Sequence, residues 1–315
     1  MGGTAARAWD LAVAPFALAA AWMLKAAARI DRRTPLSLGL LDGSGLRVVR
    51  RHYYSPLIAA SDLHRPLEAE RRLPGLDLNE AGQLALVARL DFADELRAIP
   101  ETETAGRYHY ANPAYAWGDA EILYGMIRHF RPRRIIEVGC GWSTRMAAEA
   151  IAANRRQAPT YTCRHLCIEP YEQPWLETLG VEVIRQRVER VDPRLFAELG
   201  AGDMLLIDSS HVIRPQGDVV VEYLEILPSL ARGVIVHVHD VFTPRDYPRQ
   251  WVVDERRLWD EQYLLEAFLS FNREFEVICA VNWLAHNHRD KLAMATPRLL
   301  ERPGHEPGAF WIRRR

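Results

Sequence analysis

The stretch Arg134-Ile135-Ile136-Glu137-Val138-Gly139-Cys140-Gly141-Trp142-Ser143-Thr144 decides the fold of this chain. A short run of mainly apolar, β-branched residues ends at two glycines, and a Ser/Thr pair then precedes a helix-forming segment over residues 145–153. This pattern predicts a buried strand, a tight turn and the N-terminus of a helix. Glycines let such a turn approach a ligand closely, and the unpaired N–H groups of the first helical turn attract negative charge. The stretch therefore predicts a ligand-binding turn.

The glycine spacing indicates which ligand the turn binds. A dinucleotide-binding fingerprint has a third glycine, but Thr144 occupies that position here. An acid, Glu137, instead lies two residues before Gly139. This arrangement resembles motif I of class I S-adenosylmethionine-dependent methyltransferases, in which the strand-end acid faces the amino-acid part of the cofactor. The resemblance implies that Glu137, Gly139, Gly141 and Ser143 bind S-adenosylmethionine, whereas the alternative is an ordinary strand-to-helix turn of an α/β protein.

Composition places the chain among ordinary globular proteins. It has 315 residues, of which 49% are hydrophobic and 26% are charged. Its 40 basic and 41 acidic residues give a net charge of −1, so no overall positive field attracts nucleic acid. We therefore expect no nucleic-acid partner.

The four cysteines are Cys140, Cys163, Cys167 and Cys279. Cys163 and Cys167 have a C-x3-C spacing, but no second pair follows to complete a zinc site. Buried free thiols in a reducing compartment are the better interpretation, and they predict a cytoplasmic protein.

An apolar segment rich in Ala and Leu extends from Leu11 to Ala28, interrupted by Pro15 and Lys25. Because about 20 continuous apolar residues are needed to cross a bilayer, we expect no transmembrane span. The segment predicts a helix that packs on the main domain or on a second subunit of a homo-oligomer. Peripheral contact of this helix with a membrane surface is the alternative.

The pattern of predicted elements changes near residue 110. Residues 1–110 lack α/β alternation and predict a helical arm or cap, with one helix from Leu78 to Ile99. Residues 111–315 begin with a helix that Asp119 would cap, after which strands and helices alternate. Such alternation predicts a mainly parallel sheet covered by helices, one of which extends over Gly217–Leu230.

Polar residues at the ends of the predicted strands form the candidate site. In an open parallel sheet, ligands bind beyond the carboxyl ends of the strands. Glu169 ends the second strand, where an acid can accept hydrogen bonds from both ribose hydroxyls of a nucleoside. Asp208 and His211 follow the fourth strand, and His239 and Asp240 close the fifth. Two carboxylates and two imidazoles at one rim suit either a divalent metal or a general acid and base.

A broader resemblance covers about two thirds of the chain, from Tyr115 to Arg313. The motifs DSSH, HVHD, FTPRDYP and WDEQYLLEAF are similar to those of a bacterial group of class I methyltransferases that is distantly like catechol O-methyltransferase. The family fold is a Rossmann-like sheet of seven strands, mainly parallel with the last strand antiparallel. In the catechol O-methyltransferase-like enzymes, an Asp after strand four and an Asp-Asn pair after strand five hold magnesium, and a Lys three residues after the first Asp is the base.

Laid onto this chain, the resemblance implies that Asp208, His239 and Asp240 bind a metal and that His211 is the base. Here His239 replaces Asp, Asp240 replaces Asn and His211 replaces Lys. A histidine ligand lowers the preference for magnesium and admits manganese, iron or zinc. Histidine is also a base that titrates near neutrality. The alternative is that His211 acts without a metal.

These features predict an S-adenosylmethionine-dependent methyltransferase that acts on a hydroxyl of a small molecule or saccharide. His211 would remove the acceptor proton, while Asp208 and Asp240 would orient the acceptor directly or through a metal. Asp208 would also border the cofactor. The rival hypothesis is a non-catalytic scaffold protein that keeps the fold and binds the nucleoside.

Overall fold

The structure, a computed structural model, describes residues 3–30, 35–46, 49, 51–104, 106–171 and 173–315. The chain forms two compact units, Met1–His64 and Arg65–Arg315. The boundary after residue 110 that was inferred from the sequence stays a prediction. Residues 1, 2, 31–34, 47, 48, 50 and 105 of the predicted arm lie outside the described residues.

The first unit is helical where the structure describes it. Its helices are α1 (Gly3–Ile30) and α2 (Pro35–Gly43), and a single 3₁₀ turn follows at Ala60–Asp62. Helix α1 continues through Pro15. Its segment Arg7–Lys25 is long and apolar enough to cross a membrane, a property that buried core helices and signal sequences share.

The second unit is built on one seven-stranded sheet. The strand order is β3-β2-β1-β4-β5-β7-β6. β1 to β5 pair in parallel, whereas β7 is antiparallel to both β5 and β6. The predicted fold class, a mainly parallel Rossmann-like sheet with an antiparallel last strand, is confirmed. The strands are β1 (Arg134–Val138), β2 (Arg164–Ile168), β3 (Glu182–Ile184), β4 (Met204–Ile207), β5 (Ile235–Val238), β6 (Phe275–Ala280) and β7 (Phe310–Arg314).

Helices cover the sheet, and this explains the apolar runs in the sequence. Every residue of β4 and β5 is buried, as expected for central parallel strands with both faces covered. The helices of this unit are α3 (Glu80–Val87), α4 (Ala93–Arg97), α5 (Asp119–Phe130), α6 (Trp142–Gln157), α7 (Asp218–Val221), α8 (Leu227–Ser229), α9 (Glu261–Leu269), α10 (Val281–Asn287) and α11 (Arg289–Leu292).

The predicted single helix from Leu78 to Ile99 is wrong. Two helices, α3 and α4, are separated by a turn that buries Leu90 against Gly125 of α5. Asn79 stands at the start of α3 with a left-handed backbone and makes no capping hydrogen bond. Its side-chain amide instead donates to the carbonyl of Val277 in β6 (2.9 Å). Tertiary contacts thus override the helical periodicity of the segment.

Two further details of the helices differ from expectation, and both concern the candidate site. The predicted helix over Gly217–Leu230 is interrupted by a π-helical turn, Glu222–Ile226, between α7 and α8. Gly118, and not Asp119, is the N-cap residue of α5. The Asp119 carboxylate is buried and accepts a hydrogen bond from the backbone N–H of Ala309 (2.7 Å).

Candidate active site

The glycine turn is held against the loop that follows β4. Gly139 has a φ of +74°, and a β-carbon added to it would lie 1.8 Å from the carbonyl oxygen of Asp208. Glycine is therefore required there by both conformation and space. A β-carbon at Gly141 would meet no atom within 4 Å, so the second glycine faces open space.

That open space is a cavity of about 590 Å³ at the carboxyl ends of β1, β2 and β4. Its volume lies within the range typical of small-molecule sites. Among the predicted cofactor residues, the cavity is lined by Gly139, Gly141, Ser143, Glu169 and Asp208. The wall also includes residues that the sequence did not single out, among them Tyr115, Tyr171, Arg187 and Arg214.

Glu169 is fixed at the cavity wall by backbone donors. The N–H of Cys140 donates to Glu169 Oε2 (3.2 Å), and the N–H of Tyr171 donates to Glu169 Oε1 (2.9 Å). The first bond ties the end of β2 to the glycine turn. The carboxylate is therefore held in one orientation before any ligand arrives.

Glu137 lies behind the glycine turn and does not line the cavity. It is buried, accepts a hydrogen bond from Ser143 Oγ (2.5 Å) and lies 2.7 Å from His165 Nε2. Burial opposes protonation of His165, but Cys167 and Glu137 outweigh it and raise its pKa to about 10. Glu137 therefore positions the first turn of α6 against β2.

The four predicted rim residues form one cluster, hereafter the rim cluster: Asp208, His211, His239 and Asp240. His211 Nε2 lies 3.3 Å from Asp208 Oδ1 and 3.5 Å from Asp240 Oδ2. His239 Nδ1 lies 3.4 Å from Asp208 Oδ1 and 3.7 Å from Asp240 Oδ1. The structure thus brings together the residues that the sequence placed after two different strands.

The backbone of the rim cluster is strained. His211 and Asp240 have φ values of +59° and +57°, in the left-handed region that non-glycine residues rarely adopt. Such conformations persist where the surrounding structure imposes them, and they concentrate at functional sites.

A second carboxylate orients each imidazole of the rim cluster. His211 Nδ1 donates to Glu261 Oε2 (2.8 Å), and Glu261 Oε1 accepts a hydrogen bond from the Tyr223 hydroxyl (3.0 Å). His239 Nε2 lies 3.3 Å from Asp119 Oδ2. Sequence reasoning missed both carboxylates, although Glu261 belongs to the quoted WDEQYLLEAF motif.

The imidazoles of the rim cluster lie between carboxylates, and these groups shift one another's pKa values. Burial favours protonation of Asp208, but His239 and His211 outweigh it and hold the pKa of Asp208 well below its usual range. Burial alone would lower the pKa of His211, yet hydrogen bonds with Asp208 and Glu261 raise it to about 10. Burial dominates at Asp240 and raises its pKa.

His237 is separate from the rim cluster. Its Nε2 lies 3.2 Å from the Tyr115 hydroxyl, and its ring packs on Trp311 with centroids 4.7 Å apart. Burial, with His239 nearby, lowers the pKa of His237 to about 3, so this imidazole is neutral. Its surroundings indicate a packing role.

The donor set of the rim cluster fits a divalent metal. One ligand atom each from Asp208, His211 and Asp240 lies within 4.8 Å of the others. His239 Nδ1 lies 3.4 Å from Asp208 Oδ1 and adds a nitrogen to this donor set. Mixed imidazole and carboxylate ligands suit manganese, iron or zinc better than magnesium. Metal-bound histidines usually donate their second N–H to a carboxylate, and His239 Nε2 lies 3.3 Å from Asp119 Oδ2 while its Nδ1 faces Asp208 and Asp240.

An aromatic wall borders His211. The ring of Trp259 lies 4.3 Å from the His211 imidazole, centroid to centroid, and Trp251 packs edge-on to Trp259. The Arg257 guanidinium lies 4.4 Å from the centroids of both indoles. The segment that carries Trp251 and Trp259 thus closes one side of the rim cluster.

Comparisons with known proteins support the same kind of domain. A family model described as a methyltransferase domain matches residues 136–241. An uncharacterized protein of Archaeoglobus fulgidus is 27% identical over 162 residues, covering 47% of this chain and 72% of that protein.

Two similar solved structures are O-methyltransferases. The Bacillus cereus O-methyltransferase in complex with S-adenosylhomocysteine is 12% identical, with a TM-score of 0.37 and coverage of 74% of this chain and 91% of that chain. CalS11, a TDP-rhamnose 3'-O-methyltransferase of calicheamicin biosynthesis, is 16% identical, with a TM-score of 0.38 and coverage of 62% and 76%. The match at residues 136–241 and the strand order together support a methyltransferase domain of the class I, S-adenosylmethionine-dependent type.

Proposed function

We propose that this protein transfers the methyl group of S-adenosylmethionine to a hydroxyl oxygen of a small molecule or saccharide. The observation that carries the proposal is the position of Asp208, which lines the cavity and also belongs to the rim cluster. A cofactor in the cavity would therefore meet an acceptor that is held at the rim cluster.

The cavity wall supplies the contacts that the cofactor needs. Glu169, already oriented by two backbone N–H groups, would accept hydrogen bonds from the ribose hydroxyls. Gly139, Gly141 and Ser143 would cradle the amino-acid part at the start of α6. Glu137 would contribute from behind by fixing Ser143. Because the cofactor brings the electrophilic methyl, the protein mainly aligns the reactants and excludes water.

His211 would take the proton of the acceptor hydroxyl. Glu261 fixes its Nδ1, so its Nε2 points toward Asp208 and Asp240, where the acceptor would lie. This is the orientation of a general base held by a carboxylate. Trp259 would shield the same imidazole from water.

Asp208, His239 and Asp240 would hold a divalent metal, which would lower the pKa of the acceptor hydroxyl and orient it. Charge supports this assignment. The rim cluster and its two orienting acids comprise four carboxylates and two imidazoles. The net charge of this site is the same in two states. One state has a divalent ion and two neutral imidazoles, and the other has two imidazolium ions and no metal. A bound metal would thus free His211 to act as a base.

The experiment combines metal analysis, calorimetry and turnover on the purified full chain. We expect elemental analysis to find a divalent ion that is lost in His239→Ala, and EDTA to abolish methyl transfer to hydroxyl acceptors. Binding of S-adenosylhomocysteine should survive both treatments. His211→Ala should lower turnover by about 10²–10⁴-fold with cofactor affinity nearly unchanged, because a general base acts in the chemical step. His286→Ala, which removes a histidine paired with Glu306 on the surface, is the control.

The outcomes separate the mechanisms. Turnover that resists EDTA but depends on His211 would establish a metal-free base. His211→Ala turnover within threefold of wild type, on folded protein, would exclude the base assignment. Cofactor binding without transfer to any hydroxyl acceptor would favour the non-catalytic scaffold hypothesis.

A further inference from the structure

Helix α1 exposes large apolar side chains along its whole apolar segment. Between Arg7 and Lys25, six of them expose more than 60% of their surface: Trp9, Leu11, Phe16, Leu18, Trp22 and Met23. Asp10 is the one charged residue between these two ends. Water is a poor environment for so much contiguous apolar surface, so this helix requires an apolar partner.

The exposed side chains occupy opposite faces of α1. At 100° per residue, Trp9, Phe16 and Met23 project from one face, whereas Leu11, Leu18 and Trp22 project from the other. A helix that packs on a protein surface has one apolar stripe and one polar face. A helix that is apolar on both faces needs an environment that surrounds it.

We propose that α1 inserts into a lipid bilayer, although the interruptions at Pro15 and Lys25 led us to expect no transmembrane span from the sequence. The 19 residues from Arg7 to Lys25 span about 28 Å, close to the roughly 30 Å hydrocarbon core of a bilayer. Trp9 and Trp22 lie near the two ends of this segment, where tryptophans favour the membrane interface. Pro15 is compatible with this environment, since membrane helices tolerate proline.

Charge complementarity also favours a bilayer. The sequence from 25 to 33 carries Lys25, Arg29, Arg32 and Arg33 against a single acid, Asp31. Anionic headgroups attract such a basic segment beside an apolar helix. At the other end of the segment, the negative charge of Asp10 offsets the positive charge of Arg7. The proposal concerns attachment to a membrane and does not depend on the proposed methyl transfer.

The test is flotation of the purified full chain with vesicles of phosphatidylcholine and phosphatidylglycerol in a 7:3 ratio. Wild type should float with the vesicles and resist extraction at alkaline pH. Phe16→Lys and Leu18→Lys place a charge on opposite faces, and each should weaken partition by about 100-fold if both faces contact lipid. Leu224→Lys is the matched control, because Leu224 in the second unit is 62% exposed and Leu18 is 63% exposed.

Several results would overturn the proposal. Loss of flotation in only one of the two α1 variants would show that α1 lies on the membrane surface and contacts lipid through one face only. Formation of a stable oligomer without flotation would show that a second copy covers α1. Absence of flotation of the wild-type chain would show that α1 does not insert into lipid. The circular dichroism spectrum, measured in parallel, should be equal in all variants and confirms that each is folded.

Discussion

At the scale of single residues, Gly139 and Asp208 show how the glycine turn and the rim cluster are held together. A β-carbon at Gly139 would collide with the Asp208 carbonyl oxygen at 1.8 Å. The turn after β1 therefore packs directly on the loop after β4, where the rim cluster begins. A change at either residue should affect both cofactor binding and chemistry.

Glu169 allows a prediction that isolates cofactor binding. Glu169→Ala should weaken S-adenosylhomocysteine binding by about 1.5–3 kcal/mol, roughly 10- to 150-fold, because it removes a charge-assisted hydrogen-bond acceptor from the cavity wall. Isothermal titration calorimetry measures the change. Glu177→Ala is the control, since Glu177 pairs with Arg185 and does not line this cavity. An unchanged affinity in Glu169→Ala would contradict the ribose-binding role.

The residues of the site differ in how far the sequence could predict them. Asp208, His211, His239 and Asp240 follow buried strands, so their meeting at one rim could be inferred from strand order. Asp119 and Glu261 could not, because they lie 120 and 50 positions from the imidazoles that they orient. The local sequence predicts that Asp119 caps a helix. Its contact with His239 arises only from the tertiary fold.

At the scale of elements, α9 carries the residue that orients the proposed base. Glu261 is the first residue of α9, and its carboxylate is buried between His211 and Tyr223. The π-helical turn contributes Tyr223 to the same contact. The irregular turn that interrupts the predicted helix therefore supports the site.

Glu261→Gln should lower turnover by about 10- to 100-fold, because the amide retains the shape of the carboxylate but not its charge. Affinity for S-adenosylhomocysteine should stay the same, since Glu261 does not line the cavity. Turnover per folded molecule is the measurement, and Glu306→Gln, which alters a surface pair with His286, is the control. A lower free energy of unfolding with normal turnover per folded molecule would show that Glu261 has only a structural role.

At the scale of the whole molecule, the strands were predictable from the sequence, and the packing of residues 65–110 was not. Buried parallel strands are continuous apolar runs, and each of the seven predicted strands is present. Residues 65–110 carry no such pattern, yet the N–H of Arg71 bonds to the Pro244 carbonyl and Gln83 accepts from the N–H of Ala280. Long-range hydrogen bonds of this kind leave no local signal in a sequence.

The location of the protein and its partners stay predictions. All four cysteines are free and buried, as expected for a reducing compartment. Cytoplasmic localisation stays a prediction. The absence of a nucleic-acid partner rests on charge alone.

Calorimetric titration of the full chain with S-adenosylhomocysteine and, separately, with NAD tests the central claim most directly. The cavity should bind S-adenosylhomocysteine with one site per chain and should not bind NAD, because the turn after β1 lacks the third glycine of a dinucleotide fingerprint. Binding of NAD without binding of S-adenosylhomocysteine would contradict the methyltransferase account.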